Sequence, residues 1–205
     1  MPIIEKWLIS KTHLFKRLES LSREQTVIAP VRQSDGEVSF QPIRSADEIT
    51  LEYVNELHPP KRFLQPVFEP LFTFNLGGAK PQLTAAAPVS PQILFGIRSC
   101  DVQGFRHMDG FFSGAFDDDL YWQRRNHTTV ISLACLQPAD TCFCICCNGG
   151  PYLSDGFDLQ LTDLGELFLA EVGSPKGAAI VQTCDRQPAG EKEEQQRQAL
   201  MQACD

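Results

Sequence analysis

A chain of 205 residues, 42% hydrophobic and 21% charged, is long enough to bury one full domain core and has the make-up of an ordinary folded protein. Its formal charge of -8 leaves no basic stripe for a phosphate backbone, which excludes a general nucleic-acid binder. No apolar run is long enough to span a bilayer, and the opening MPIIEKWLISKTHLF lacks the apolar segment and small-residue cleavage site of a signal peptide, so the expected compartment is the cytoplasm.

The recurrence of Leu14, Leu18 and Leu21 predicts an amphipathic helix over residues 10–24. TVIAPV follows as a short strand ended by Pro30, and GEVSFQPI alternates Val38, Phe40 and Pro42 with polar neighbours, as a half-buried strand does. The proline-rich LHPPKRFLQPVFEPLFTF reads as irregular chain, with Phe63, Leu64, Val67, Phe68, Leu71 and Phe72 available to dock on the core. GGAKPQLTAAAPVSP reads as a surface loop. QILFGI is a buried-strand candidate that ends at Arg98-Ser99-Cys100-Asp101. Asp101 is the expected cap of a helix in which Val102, Phe105, Met108 and Phe112 recur at near-helical spacing. The run Asp117 to Asp119 reads as a solvated loop or helix start, and TTVISLA as a second buried strand, ending at Cys135.

Strand, helix and strand in that order make a βαβ unit, and ligands of such sheets sit beyond the carboxyl ends of the strands. Cys100 and Cys135 lie at two such ends, so neighbouring strands would bring them together. Further on, Phe157, Leu159 and Leu161 alternate, Asp163-Leu164-Gly165 turns the chain, and Leu167 and Leu169 return as the second arm of a hairpin. SPKGAAIVQTC is expected to start the final helix, and PAGEKEEQQRQALMQACD is polar and helix-favouring. The expected fold is α/β, a small, mostly parallel or mixed sheet with flanking helices and a later β-hairpin. Residues 1–184 are expected to form a cysteine-rich α/β domain and 185–205 a polar helical tail or truncated linker.

Eight cysteines in a reducing compartment point to metal or redox chemistry more than to disulfides, and five of them crowd into ACLQPADTCFCICCNGGP. The best ligand candidates are Cys100, Cys135, Cys142 and Cys144. An iron–sulfur cluster calls for about four thiolates converging on one pocket, because soft thiolate matches iron and sulfide. The spacing follows neither the usual ferredoxin patterns nor a zinc finger. The plainer reading makes Cys100 and Cys135 small buried hydrophobes and the loop cysteines free thiols, which accounts for two cysteines and poorly for five. Cys146 and Cys147 are possible alternate ligands, a second metal site or reactive bystanders. Cys184 is expected to be structural, and Cys204 to lie in a terminus without regular structure. NGGP is either a turn or a source of backbone N–H groups for an anion. Arg98 either offsets the negative charge of a cluster or serves a helix end or an ion pair with Asp101. His107 and His127 read as surface or packed residues, and no nucleotide-binding or hydrolase motif is present.

HPPKRFLQPVFEPLFTF, ILFGIRSCDVQGFRHMDGFF, DDLYWQRRN, ACLQPADTCFC and NGGP, followed by GFDLQLTDLGELFLAEVGSPKG, stand in the order found in one family. Over about residues 26–180 the chain resembles the N-terminal portion of the beta subunits of cytoplasmic NiFe sulfhydrogenases and of the A subunit of anaerobic sulfite reductase, which are iron–sulfur electron-transfer subunits. The resemblance implies one [4Fe-4S] cluster held by Cys100, Cys135, Cys142 and Cys144. It also implies electron transfer between a flavin- or NAD(P)H-handling partner and a hydrogenase, sulfite-reductase or heterodisulfide-reductase-like subunit, with no catalytic chemistry required in this chain. Three departures stand out: Ser99 replaces the family's usual proline, Cys146 and Cys147 stand where small or polar residues are common, and the family's ferredoxin-like domain is not within these residues, so the chain is expected to be either a fragment or a stand-alone version whose onward carrier lies on another polypeptide. Two other classes compete: a scaffold with structural zinc, and a redox or hydrolytic enzyme with a low-pKa cysteine served by His107 or His127.

Overall fold

The apolar runs at residues 92–97, 128–133 and 159–163 pair side by side as parallel strands, and the rest of the fold is laid around them. The computed structural model describes residues 5–77, 80, 82–85, 88–114, 117–147 and 149–204. In chain order the elements are β1 (Glu5–Ser10), α1 (Lys11–Leu21), β2 (Thr26–Arg32), β3 (Val38–Pro42), β4 (Phe72–Asn75), β5 (Gln82–Ala85), β6 (Gln92–Ile97), α2 (Ser99–Phe112), α3 (Asp119–His127), β7 (Thr128–Leu133), β8 (Leu159–Asp163), β9 (Leu167–Val172), α4 (Pro175–Val181), β10 (Arg186–Pro188) and α5 (Glu191–Gln202). Eight strands form one sheet in the order β10-β1-β9-β8-β7-β6-β2-β3. Neighbours from β2 through β6 and β7 to β8 are parallel, and the other pairs are antiparallel. The expected α/β class, with a mixed sheet and the β8–β9 hairpin, is what forms.

Each face of the sheet carries its own core. Leu14, Leu18 and Leu21 of α1, with Ile180 and Val181 of α4, cover one face over Ile93, Phe95, Ile131, Leu159 and Leu161. Val102, Phe105 and Phe112 of α2, with Tyr121 of α3, cover the other over Leu94, Ile97 and Val130. Strict alternation would place Ile97 with Ile93 and Phe95. Gly96 prevents this: it sits at φ +82° in a bulge where Phe95 pairs with Ile131 and Ile97 with Ser132, so Ile97 turns to the α2 face.

Several expectations change in detail. The first strand continues through Pro30 to Arg32, because β2 pairs with β6 only as far as Ile28; the Pro30 carbonyl accepts instead from the Thr50 N–H at 2.9 Å. Helix α2 starts two residues before Asp101, with extended Arg98 as its cap, since the Arg98 carbonyl already accepts from Asp101 and Val102. Asp118 caps α3, its carboxylate accepting from the Leu120 and Tyr121 N–H groups. Residues within the expected surface loop form β5, which pairs with β4 as a separate hairpin. Of the six apolar residues expected to dock, Leu64 is buried and Phe63 packs beside it, whereas Val67, Phe68, Leu71 and Phe72 are exposed. The helix expected to be last, α4, is followed by β10 on the sheet edge and by α5. Among the described residues no helix is long and apolar enough to cross a membrane.

Candidate metal centre

Strands β6 and β7 are parallel neighbours, so the chain leaves both at the same edge of the sheet. Cys100 follows β6 in the first turn of α2, and Cys135 follows β7. Both line a cavity of about 740 Å³ that opens where parallel sheets usually bind their ligands. The loop after Cys135 supplies Cys142 and Cys144 to the same cavity, so all four sequence-predicted residues border one space. Cys146, Cys147 and Cys204 line it too, as does His107. His127 does not border it; its Nδ1 lies 2.7 Å from the Gln123 carbonyl at the end of α3. Cys184 is elsewhere, packed against the α1 face with its thiol on the Ile180 carbonyl at 3.5 Å.

The cysteine loop is shaped by its backbone. Cys142 N–H donates to the Ala139 carbonyl at 2.9 Å, and Ala139 N–H donates back to Cys142 Sγ at 3.2 Å. A single 3-10 turn then carries Cys144–Cys147, closed by Gly149 N–H on the Cys144 carbonyl at 2.9 Å. A Cβ on Gly149 would stand 2.9 Å from that same oxygen, so the close approach requires glycine. Of the NGGP run, Asn148 lies outside the described residues, and the Gly149 donor is spent inside the loop.

Three contacts fasten the loop's exit, and none was legible as a site residue. Cys135 N–H donates to the Pro151 carbonyl at 2.7 Å. The Ser99 hydroxyl donates to the Gly150 carbonyl, so the serine that stands in place of proline ties α2 to the loop. Gln160, fully buried on β8, accepts from Leu153 N–H at 2.7 Å, donates to the Leu153 carbonyl at 3.1 Å and donates to Glu171 at 3.0 Å. Cys204 was missed for a different reason: the charged surface of α5, not an apolar stripe, brings it to the cavity.

Burial pushes the Cys100 thiol up to about 12, with the carboxylates of Asp101 and Glu56 and the nearby Cys144 adding to the effect. Cys144 is raised as well, by burial and by Cys142 and Cys135, which places it within electrostatic reach of all three other candidates. Asp101 is pushed up to about 7 by burial and by Glu56, against the pull of Arg98 and Lys61. Thiols give up their protons and become thiolate ligands when a metal binds. The donors are all sulfur, which suits iron–sulfur clusters and zinc. Among the described residues no three His, Cys, Asp or Glu side chains are already gathered around a single ion position.

The fold is thus a mixed α/β domain with a cysteine-lined cavity at the ends of two parallel strands. No family model matches the chain. It is 31% identical over 167 residues, 82% of its length, to the beta subunit of sulfhydrogenase 2 from Pyrococcus furiosus, and the match covers 47% of that relative. The chain thus spans about half the length of the curated relative it matches, and it resembles the N-terminal portion of the sulfhydrogenase beta-subunit family.

Proposed function

We propose that this chain is an iron–sulfur electron-transfer domain of a redox complex, in which Cys100, Cys135, Cys142 and Cys144 bind one [4Fe-4S] cluster. The observation that carries the reading is that all four cysteines line one cavity at the ends of β6 and β7. The similarity to a hydrogenase beta subunit supports the redox assignment. When bound, the cluster would accept and release single electrons. The chain's own part is to present four soft donors around one cavity and to keep the loop closed through Ser99, Gln160 and the Cys135 N–H. Cys146 and Cys147 line the same cavity and are the alternate ligands.

In this reading a flavoprotein or NAD(P)H-handling subunit stands on one side of the electron path and a hydrogenase or reductase subunit on the other, with a ferredoxin-like domain or protein as onward carrier. A cytoplasmic complex is the setting consistent with this reading. A nucleophilic cysteine enzyme fits the site less well, because such a thiol needs a lowered pKa, and burial raises those of Cys100 and Cys144.

The test is iron, sulfide and zinc content with absorption and EPR spectra on anaerobically purified and reconstituted protein. The expected result is about four irons and four sulfides per chain, lost in Cys100→Ala and Cys142→Ala and kept in Cys184→Ala. One tightly held zinc with no iron uptake would replace this reading with a structural zinc scaffold.

A further inference from the structure

The cavity wall carries few charged side chains. Among the described residues that line it, Arg98 is the single arginine or lysine, and no aspartate or glutamate takes part. Arg98 is only 7% exposed, and it stands two positions before Cys100 as the residue that caps α2. Its Nη1 donates to the carbonyl of Ala134, the residue before Cys135, at 3.3 Å. Its Nη2 donates to the Tyr53 carbonyl, and the guanidinium carbon lies 4.2 Å from the centroid of the Tyr53 ring. The Tyr53 hydroxyl in turn donates to the carbonyl of Gly96, the bulge residue that sets the end of β6. One side chain therefore joins the exits of both strands that deliver predicted ligands.

The charge acts on Asp101 and Glu56 but is closed by neither. Both terminal nitrogens are taken by neutral carbonyls, and among the described residues no carboxylate forms an ion pair with Arg98. The Nε atom is buried without a partner among those residues. A buried guanidinium on which no carboxylate closes is disfavoured, and an unsatisfied donor beside it adds to the penalty. Four thiolates around a cluster carry net negative charge, and fixed charge and hydrogen bonds to sulfur are among the means by which a protein sets a cluster's potential.

We infer that Arg98 is the positioning residue of this site and the fixed counter-charge of the thiolate-bound cluster, holding its reduction potential up. The inference rests on the iron–sulfur reading and adds to it the residue that tunes the centre. A neutral residue at this position makes the reduced cluster, which carries one more negative charge, harder to form.

The experiment compares wild type with Arg98→Met, Arg98→Gln and Arg98→Lys. Each is reconstituted anaerobically with ferrous iron and sulfide, checked by circular dichroism and iron content, then titrated redox-wise with EPR detection. Methionine fills the space with apolar atoms, and glutamine is the second neutral variant should the first not fold. The expected result is a fall in midpoint potential in the neutral variants, equivalent to at least a tenfold drop in the reduced-to-oxidised ratio at a fixed poise, about 59 mV for one electron. Arg98→Lys, which keeps the charge, stays within about threefold of wild type on the same scale. A purely structural role would lower iron content without moving the potential of the clusters that do form. A neutral variant with the wild-type potential overturns the inference, as does a lysine variant that falls as far as the neutral ones; in both cases the iron–sulfur reading survives. Failure of the wild-type protein to take up iron defeats that reading first, and this inference with it.

Discussion

Replacing Gln160 by methionine isolates the anchor that closes the cysteine loop. The two side chains are of similar volume, so the change removes hydrogen bonds and leaves no large cavity. Three bonds are lost: two to the Leu153 backbone, at 2.7 and 3.1 Å, and one to the Glu171 carboxylate at 3.0 Å. Neutral bonds of this kind contribute about 1 kcal/mol each, and one to a charged group about 1.5–3 kcal/mol. All the groups concerned are buried, with Gln160 and Glu171 fully so and Leu153 nearly so, and water does not readily take over. Glu171 keeps Lys6 at 3.4 Å and Arg197 at 3.6 Å, which limits the penalty on the carboxylate. The expected loss is about 3–5 kcal/mol by urea unfolding of the cluster-free protein, or roughly 6–20 °C in thermal midpoint for a chain of this size. Iron retention should fall with it, since the same bonds fix the loop that carries Cys142 and Cys144. A destabilisation below about 1 kcal/mol would show that Leu153 finds other partners, and that the loop's exit is not held from β8.

Ser99→Pro restores the residue usual in the resembled family, and Arg98 before it is already at φ -72° and ψ 156°, the extended geometry that proline demands of its predecessor. Stability should stay within about 1 kcal/mol, as unfolded-state entropy offsets the lost bond to Gly150, while alkylation of the loop cysteines by iodoacetamide becomes faster. Glu194→Gln weakens the attachment of α5. Burial opposes the Glu194 charge, but hydrogen bonds from Lys6 and Arg197 outweigh it and hold its pKa below the ordinary carboxylate range. The wild type should exceed the variant by about 1 kcal/mol at neutral pH. That margin is fully present above the unfolded pKa of about 4.3 and disappears as the pH falls through the lowered folded value, which paired urea titrations at several pH values would show. Phe74→Ser on the β4–β5 hairpin should change stability by less than about 0.5 kcal/mol, because Phe74 is 63% exposed; a larger loss would mean that the hairpin packs on the sheet in solution.

The strands that position the site were readable because their pattern is simple. QILFGI and TTVISL are short apolar runs buried on both faces, and the helix between them repeats Val102, Phe105 and Phe112 toward one face. The β8–β9 hairpin announced itself through alternation and through Gly165, which sits at φ +102° in the turn. Elsewhere a local rule met a tertiary one. Proline normally ends a central strand, yet Pro30 continues β2 because its neighbour β6 is no longer paired there. Asp101 is a good capping residue, but the chain is already turning at Arg98, whose carbonyl accepts the first helical bonds. The pairing of β4 with β5 joins two segments that bury nothing, so no periodicity signalled it.

The candidate ligands were legible and their supports were not, for one physical reason. A cysteine announces a chemistry by its type, whereas Ser99, Gln160 and Tyr53 are ordinary residues whose work depends on which carbonyl or carboxylate the fold places opposite them. The same holds for α5. Its one buried apolar residue is Met201, and it is held by Lys6–Glu194, by Arg197 against Glu171 and by Arg197 over the Tyr152 ring. Those contacts link it to β1, to β9 and to the exit of the cysteine loop, and they bring Cys204 to the cavity where no hydrophobic pattern would have placed it. The Arg197–Glu171 pair is largely out of solvent and is screened less by salt than a surface pair. The wall of the cavity formed by Cys204 therefore rests on the side-chain contacts of α5, whereas the wall formed by Cys100 and Cys135 rests on paired strands and on the two buried cores.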